Sequence, residues 1–271
     1  MIRSLFSGVS SVKSHQVRMD TVANNIANVN TYGFKSSRTT FQDNLNQLLR
    51  SGGASVNAAQ VGTGTTLSAI GNNMGNGPQQ MTGRTLDLAI NGQGFFKVQQ
   101  ASPDGGGSVA DNSSILYTRE GSFYLDKEGY LVNANGYYLL DESNSPQSVG
   151  SDLTQIASIS IDKNGKITVI NNDDSTVEIQ LTLAVFNNPE GLERKGSNLF
   201  SQTIASGEDM NTGTLPSEMG SEINSGYLEM SNVDLSEEFT NMITTQRGYQ
   251  AGSRIITVSD TLLEELINLK R

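Results

Sequence analysis

Apolar side chains in the first thirty residues recur at alternating intervals of four and three positions. Six of the eight positions in this series are apolar, and the spacing is that of a heptad repeat, in which one stripe of an α-helix faces a partner. We therefore predict an N-terminal helix that ends near Gly33, because glycine is favoured just after helix C-termini. The series consists of Leu5, Val9, Val12, Gln16, Met19, Ala23, Ile26 and Asn30.

The last forty residues repeat the same spacing, and most positions of the series are apolar or aromatic. Asp234 precedes this pattern and has Glu237 three residues later, which is typical of a helix start with a capping box. Gln16 and Gln246 lie near the middle of the two series, where a polar residue fixes the register of paired helices. The second series consists of Leu235, Phe239, Met242, Gln246, Tyr249, Ser253, Ile256, Asp260, Leu263 and Ile267.

Between the two helices the period of the pattern changes to two. Apolar runs such as residues 86–90 and 95–98 are separated by turn sequences at Asn91, Asp126, Asn133 and Asp162, each followed within three residues by glycine. This arrangement is typical of antiparallel hairpins. Residues 51–76 are rich in Gly, Ser, Asn and Thr, which predicts extended connections with at most one strand near residues 65–70.

Together these patterns predict an α+β protein, with long N- and C-terminal helices that form a coiled-coil layer and a central antiparallel all-β domain. The expected boundaries are an N-terminal helix over 1–35, an extended Gly/Ser-rich connector over 36–80, a β-rich domain over 81–204, a return linker over 205–230 and a C-terminal helix over 231–271. A helix with one apolar stripe must bury that stripe. Two alternatives remain open: an intramolecular helical hairpin, or contacts with neighbouring chains.

Composition excludes several kinds of chemistry. The 271 residues contain no cysteine and a single histidine, His15. Disulfides and thiolate metal sites are therefore not expected, and neither is a multi-histidine metal site or a Ser-His-Asp triad. The net charge of -10 disfavours contact with nucleic acids and anionic lipids. No apolar run is long enough to cross a bilayer, and no continuous apolar core of a signal peptide is present near the N-terminus. We predict no enzyme activity and no cofactor.

Two polar groups suggest chemistry but are better explained by structure. Asp162, Asn164 and Gly165 resemble the start of a calcium loop, yet the twelfth position of that loop is Asp173 rather than Glu, so a hairpin turn is predicted. Asp87 precedes a buried strand pattern and is expected to form a structural ion pair with Arg84 or Arg119 rather than to act in acid-base chemistry.

Four stretches of the chain, in this order, resemble the signatures of one family. They are residues 24–35 (NNIANVNTYGFK), 82–96 (TGRTLDLAINGQGFF), 117–123 (YTREGSF) and 226–235 (GYLEMSNVDL), and the last leads into TQRGY at 245–249. The chain is similar in these stretches to bacterial flagellar rod and hook axial proteins. The resemblance is strongest to the short hook proteins of Gram-positive bacteria, with the distal rod protein second.

This resemblance implies a structural subunit of the flagellar hook, a flexible helical tube that transmits motor torque and encloses the export channel. The alternative is the distal rod protein of the flagellar basal body, and a more remote one is a secreted β-rich adhesin. The region after the first helix, about residues 41–64, is short for the distal rod protein, which favours the hook. The implied partners are copies of the chain, the neighbouring rod, hook-cap and hook-filament junction proteins, and the type III export apparatus. We expect no nucleic acid partner, no membrane insertion, and an extracellular position in the flagellum after export without a cleaved signal peptide.

The resemblance also implies that the terminal helices contact neighbouring subunits in an inner tube. We expect flanking residues to be covered there as well, namely Ile2, Phe6, Ala27, Ile243 and Ile255. We also expect hydrogen bonds between subunits from the amides of Asn24, Asn25, Asn28 and Asn30. The predicted interface residues are Leu5, Val9, Val12, Gln16, Met19, Ala23, Asn25, Ile26, Asn28, Leu235, Phe239, Met242, Gln246, Tyr249, Ile256, Leu263 and Ile267.

Overall fold

The computed structural model describes residues 2–53, 57–100, 115–141, 144–150, 156–173, 175–209, 216 and 220–269. The chain divides into two compact units. Unit 1 comprises Met1–Val29, Ser36–Asn73 and Val233–Arg271, and unit 2 comprises Asn30–Lys35 and Met74–Asn232. The α+β class is confirmed, because two long helices occur beside mostly antiparallel strands. A coiled-coil layer made of several subunits stays a prediction.

Both predicted helices are present in unit 1. Helix α1 spans Ile2–Ala27 and helix α2 spans Leu235–Leu269. The predicted cap is confirmed, since the Asp234 carboxylate accepts hydrogen bonds from the backbone N–H groups of Ser236 (2.8 Å) and Glu237 (3.4 Å). Helix α1 ends earlier than residue 35 and passes into turns after Ala27. The four amide-bearing residues of 24–30 are poor helix formers, which explains this early end.

The two helices lie antiparallel and contact each other through small residues. A Cβ atom at Gly252 would lie 3.0 Å from Cγ2 of Val12, and a Cβ atom at Gly8 would lie 3.1 Å from Cγ1 of Ile256. Near the other end of this contact, Arg18 Nη2 donates a hydrogen bond of 3.2 Å to Asn241 Oδ1. The buried residues of α2 are Thr245, Gly252 and Ser259. They recur every seven positions, so the heptad spacing is present, but small residues occupy the contact.

The rest of unit 1 is a paired set of strands where a Gly/Ser-rich connector was expected. Strands β1 (Ser37–Asp43) and β4 (Thr65–Asn72) are antiparallel, with Ser37 opposite Asn72, and β2 (Asn46–Arg50) pairs in the same way with β3 (Ala59–Gly62). The prediction of at most one strand in this region was therefore wrong. Strand β1 packs on the helices, where the Phe41 ring contacts the edge of the His15 ring at a centroid distance of 6.0 Å.

Unit 2 contains the predicted antiparallel strands. Its largest sheet has the order β16-β17-β8-β7-β11-β10-β9, with β15 also paired to β7, and a second sheet has the order β12-β13-β14. The strands are β5 Gln79–Met81, β6 Leu88–Asn91, β7 Phe95–Gln100, β8 Ile115–Thr118, β9 Phe123–Leu125, β10 Leu131–Asn133, β11 Tyr137–Leu139, β12 Ile156–Ile161, β13 Lys166–Asn171, β14 Thr176–Gln180, β15 Leu183–Ala184, β16 Glu193–Gly196, β17 Leu199–Ser201, β18 Glu222–Ser225 and β19 Tyr227–Glu229. The 3₁₀ turn Pro189–Gly191 precedes β16.

The core of unit 2 consists of side chains from both sheets. Phe96 and Phe123 are fully buried and meet edge to face at 5.3 Å between ring centroids. Ile167 and Val169 on β13 belong to the same apolar cluster. Side chains of a strand point to opposite faces in turn, so one face of β13 contributes to this core.

Two smaller structural predictions in unit 2 are confirmed. Residues 162–165 form the turn between β12 and β13, with the Gly165 N–H bonded to the Asp162 carbonyl oxygen at 2.9 Å. Asp87 is buried and its Oδ1 lies 3.2 Å from Nη1 of Arg84. Arg119, the other candidate partner of Asp87, instead pairs with Glu229.

The region predicted as a return linker over 205–230 contains paired backbone. Strand β18 pairs with β6, and β19 pairs with β5. Asp209 carries a buried ion pair, with Oδ2 lying 2.6 Å from Nζ of Lys97. These partners are more than a hundred residues distant in sequence, so local composition gave no sign of the pairing.

The contact between α1 and α2 predicts that added volume at Gly252 separates the helices. Gly252→Leu should lower the free energy of unfolding by about 1–2 kcal/mol, because overpacking costs roughly 1–3 kcal/mol and the better helix propensity of leucine returns up to ~1 kcal/mol. Thermal unfolding followed by circular dichroism measures this change. The neighbouring exposed position supplies the control: Ser253→Leu should stay within about 0.5 kcal/mol of the parent. Equal stability of the two variants would contradict the close approach.

The cap of α2 gives a second stability prediction. Asp234→Ala should lower the free energy of unfolding by about 0.5–2 kcal/mol, because two backbone N–H groups lose their acceptor. Asp234→Asn keeps an acceptor oxygen and should remain close to the parent. Denaturant titration of the three proteins tests the prediction, and it is wrong if Asn and Ala behave alike.

Candidate assembly surface

Large apolar side chains that remain exposed are concentrated in unit 1. Seventeen of the 22 exposed large apolar or aromatic side chains in the described part of the chain belong to this unit. Monomeric proteins rarely leave contiguous apolar surface of this kind in water, and such surface usually marks a contact with another molecule. Unit 1 is therefore the candidate assembly surface.

Helix α2 exposes two groups of these side chains. The small residues that face α1 leave the bulky ones pointing elsewhere, so the first turns expose Leu235, Phe239 and Ile243. The C-terminal half exposes a second group at intervals of three and four residues. This group consists of Ile255, Val258, Leu262, Leu266 and Leu269.

The predicted interface residues of α2 divide into two sets. Met242, Ile256 and Leu263 are half-buried, whereas the polar Gln246 is exposed. The exposed apolar and aromatic members of the predicted set are Leu235, Phe239, Tyr249 and Ile267. Burial within one chain thus accounts for part of the predicted series, and the exposed residues retain apolar surface for another partner. Their contact with neighbouring subunits stays a prediction.

The predicted residues of α1 show a shift of the contact by one position. Five members of the predicted series in α1 are half-buried, but Gln16 and Ala23 are exposed. The positions that pack within the chain instead are Gly8, His15 and Val22. The half-buried members are Leu5, Val9, Val12, Met19 and Ile26.

The single histidine has a packing role in unit 1. The imidazole of His15 occupies the space beside Gly248, where a Cβ atom would lie 2.5 Å from its Cε1 and Nε2 atoms. Burial, with the nearby Arg18 charge, lowers the pKa of His15 from its ordinary value. The neutral ring is thus favoured, which suits an aromatic contact with Phe41.

Asn25 forms its hydrogen bonds inside the chain, which differs from the expected bond to a neighbouring subunit. It is 1% exposed, and its Nδ2 donates to the Ser37 carbonyl oxygen at 2.9 Å and to Glu238 Oε1 at 2.8 Å. Its Oδ1 accepts the Ser37 N–H at 2.9 Å. Asn25 therefore joins α1, β1 and α2. Burial raises the pKa of Glu238, and the hydrogen bond from Asn25 opposes that rise.

Asn28 has a local role at the end of α1. Its Nδ2 donates to the carbonyl oxygen of Asn24 at 2.9 Å and to the Asn24 side-chain oxygen at 2.6 Å. The Asn24 carbonyl oxygen also accepts the backbone N–H of Asn28 at 3.2 Å, so Asn28 closes the last turn of α1 through both its backbone and its side chain.

The paired strands of unit 1 add further apolar surface. Side chains of β2, β3 and β4 and of the turn before β2 are exposed although they are large and apolar. They are Leu45, Leu48, Leu49, Val61, Leu67 and Ile70.

The charge of the chain is concentrated in unit 2. Its residues include nine Lys and Arg against 20 Asp and Glu, whereas unit 1 has nine against eight. Two surfaces that carry an excess of charge of the same sign repel each other. Copies of the chain can therefore approach through unit 1 with little electrostatic repulsion.

The described residues contain no cluster of three or more metal-ligating Asp, Glu or His side chains. In the same part of the chain, neither helix has the length and apolar character needed to cross a membrane.

Sequence reasoning missed the small residues that bring the helices together. A signal for them existed, since Gly8, Gly248 and Gly252 are poor helix formers within otherwise helical patterns and such glycines often have a packing reason. It also missed the buried charged residues Lys35, Arg119 and Glu229 of unit 2. A single charged residue within a mixed polar and apolar sequence does not indicate that its side chain is buried.

Comparison with known proteins matches three parts of the chain to family models. Residues 7–35 match the family model described as flagella basal body rod protein, residues 89–169 match the flagellar hook protein FlgE/F/G D1 domain, and residues 224–269 match the flagellar basal body rod FlgEFG protein C-terminal region. The first and third matches cover most of the two helices, and the second lies in unit 2.

Full-length relatives agree with the family models. The flagellar basal-body rod protein FlgG of Bacillus subtilis is 42% identical over 279 residues, with all of both chains aligned. FlgG of Borreliella burgdorferi is 37% identical over 280 residues, also with both chains fully covered. The flagellar hook-basal body complex protein FlhP of B. subtilis is 32% identical over 290 residues of fully covered chains. The chain therefore belongs to the flagellar rod and hook protein family, whose members are structural proteins of the flagellum and not enzymes.

Proposed function

We propose that this chain is the subunit of the distal rod of the flagellar basal body, a straight helical tube, rather than a subunit of the hook. The observation that carries the proposal is full-length similarity, at 42% and 37% identity, to proteins named as basal-body rod proteins. The expectation of a hook subunit is replaced by its alternative. Neighbouring axial proteins and the type III export apparatus are the predicted partners.

The strands of unit 1 support this choice. The hook was favoured because the region after α1, about residues 41–64, is short, within a segment expected to be an extended connector. Strands β1 and β4 are instead paired from Ser37 opposite Asn72 to Asp43 opposite Thr65. Paired backbone resists bending better than a Gly/Ser-rich coil does, so a subunit with this hairpin suits a stiff tube.

The apolar surface of unit 1 supports assembly into a polymer. Fully burying a large apolar side chain gains about 1.5–3 kcal/mol, and a side chain that is half exposed still has roughly half of this to gain. Several such side chains on α2 and on the paired strands therefore provide a sufficient driving force for contacts between copies. The acidic unit 2 favours a position where it is surrounded by solvent.

Removal of apolar surface from α2 should impair polymerisation without unfolding the chain. Phe239→Ser with Ile243→Ser removes two half-exposed side chains, and the critical concentration for tube formation should rise at least about tenfold, since ~1.4 kcal/mol corresponds to a factor of ten. Sedimentation and negative-stain electron microscopy give the measurement.

The control for this variant lies in unit 2. Ile204 is fully exposed there, so Ile204→Ser removes a comparable side chain from a surface that is not expected to assemble. It should leave the critical concentration unchanged. If Ile204→Ser inhibits assembly and the double variant does not, the assembly surface has been assigned to the wrong unit.

The choice between rod and hook is tested by the shape and position of the polymer. Purified protein should form straight tubes, and cells of a flagellated host expressing an epitope-tagged chain should carry the label on the rod segment of isolated hook-basal bodies. Curved tubes, with label on the hook, would establish the hook alternative.

A further inference from the structure

A six-residue segment between α1 and β1, the anchor loop (residues 30–35), belongs to unit 2 although both of its neighbours belong to unit 1. The chain consequently passes between the units after Val29, Lys35, Asn73 and Asn232. Two of these four passages exist only because the anchor loop is held in unit 2. If the loop were released, two passages would remain.

The anchor loop is attached to unit 2 by backbone and side-chain contacts. The Gly33 N–H donates to the backbone carbonyl of Glu229 at 2.8 Å, and Asn198 Nδ2 donates to the backbone carbonyl of Tyr32 at 3.0 Å. Phe34 is buried, and the Arg194 guanidinium lies 5.0 Å from the centre of its ring. Gly33 has φ of +68° and leaves no room for a side chain, because a Cβ atom would lie 2.7 Å from the Glu120 nitrogen.

Lys35 fixes the end of the loop through a buried ion pair. Its Nζ lies 2.6 Å from Glu229 Oε1, and both side chains are 1% exposed. The same ammonium group donates to the Gly75 carbonyl oxygen at 2.9 Å. Lys35 thereby joins the anchor loop to the two chain segments that lead from unit 2 at Asn73 and Asn232.

The Glu229 carboxylate links these segments through hydrogen bonds and ion pairs. Its Oε1 also accepts the Gly77 N–H at 2.8 Å, and its Oε2 lies 3.2 Å from Arg119 Nη1. Asn232 completes the arrangement, with its Nδ2 bonded to the Gly75 carbonyl oxygen at 3.1 Å. Residues at or near three of the four passages, those after Lys35, Asn73 and Asn232, are thus connected within a few hydrogen bonds of one carboxylate.

The attachment is specific but not strongly stabilising. Burial, followed by the Arg119 charge, lowers the pKa of Lys35, and the attraction of Glu229 opposes this shift. The desolvation of the ammonium group is therefore incompletely offset, as is common for buried ion pairs. Such a pair holds a segment in one place while adding little net free energy.

We propose that the anchor loop is a releasable link between the units, held by Lys35 and Glu229, and that its attachment sets the stiffness of the assembled tube. This inference rests on the proposed function in that it needs a polymer whose stiffness can change. With four passages fixed, fewer internal motions remain to each subunit than with two. A tube of attached subunits is the stiffer one.

The test uses the full-length chain with Lys35→Met, which removes the ammonium group and keeps a long side chain. Glu229 then retains Arg119 and the Gly77 N–H, so its charge stays paired. Amide hydrogen exchange of Gly33 should become at least tenfold faster, because the segment opens more often, while that of Val169 in the sheet of β12 to β14 should not change. The persistence length of the tubes, measured by electron microscopy, should fall to about half or less.

Lys97→Met is the matched control. Lys97 forms an equally short buried ion pair in unit 2, with Asp209 at 2.6 Å, but none of its contacts lies in the anchor loop. It should leave both Gly33 exchange and persistence length as in the parent. Asn198→Gly serves as a second variant, since it removes the bond to Tyr32 and tolerates the positive φ of 57° at this position; it should act in the same direction as Lys35→Met.

The outcomes separate the inference from the proposed function. Suppose that the parent forms straight tubes. The role of the loop is then overturned if Lys35→Met and Asn198→Gly both leave Gly33 exchange unchanged, or if both leave the stiffness of the tubes unchanged. Equal softening by Lys97→Met also overturns it, because general loss of stability would then be the cause. A parent chain that forms no tubes overturns the proposed function and the stiffness role with it.

Discussion

The close approach of α1 and α2 through glycine, serine and threonine is the constraint on which the assembly surface depends. Small residues at Gly8, Thr245, Gly252 and Ser259 let the two helices meet without using their bulky side chains. Helices that paired through leucine and phenylalanine would bury their apolar surface internally and leave a polar exterior. Here the large apolar residues stay on the outside of the pair. The chain is therefore folded in unit 1 and still has apolar surface to bury.

The buried Glu229 carboxylate has a comparable role in unit 2. One carboxylate faces two cations, Lys35 and Arg119, and all three side chains are nearly inaccessible to water. Each of these residues lies in one of the sequence stretches that carry the family resemblance. Three of the four stretches, which are far apart in the chain, each supply one member of this cluster. Removal of Glu229 would leave the two buried cations without their carboxylate, which is costly, whereas removal of Lys35 leaves Glu229 paired with Arg119.

The sequence predicted regular elements well where a local pattern determines them. The cap at Asp234 and the turn at residues 162–165 follow from interactions between residues close in sequence. The residues at the contact between α1 and α2 were only partly predicted. Val12 and Met19 lie near it, but Gln16 and Ala23 do not, because an apolar pattern cannot show that the tighter contact is made by glycine.

The strands of unit 1 and the end of unit 2 could not be predicted from local sequence. Strand β1 pairs with residues about thirty positions away, and β18 pairs with a strand more than a hundred positions away. Their sequences are rich in Ser, Thr, Asn and Gln, and both faces of β2 are exposed, so no alternation marks them. The buried ion pairs of Lys35 and Lys97 were missed for a similar reason, since lysine is rarely buried without a partner and the partner is distant in sequence.

Stiffness is the property that distinguishes a straight rod from a bent hook built on similar helices. A tube that rotates about a curved axis must let each row of subunits lengthen and shorten once per turn, whereas a straight shaft needs no such sliding. Under the proposed function we therefore expect the parts outside the helices to be held firmly. In this chain the segment after α1 is first fixed in unit 2 by Gly33 and Lys35 and then enters a paired strand at Ser37. Only Ser36 lies between these two attachments, which supports the proposal of a rod subunit rather than a hook subunit.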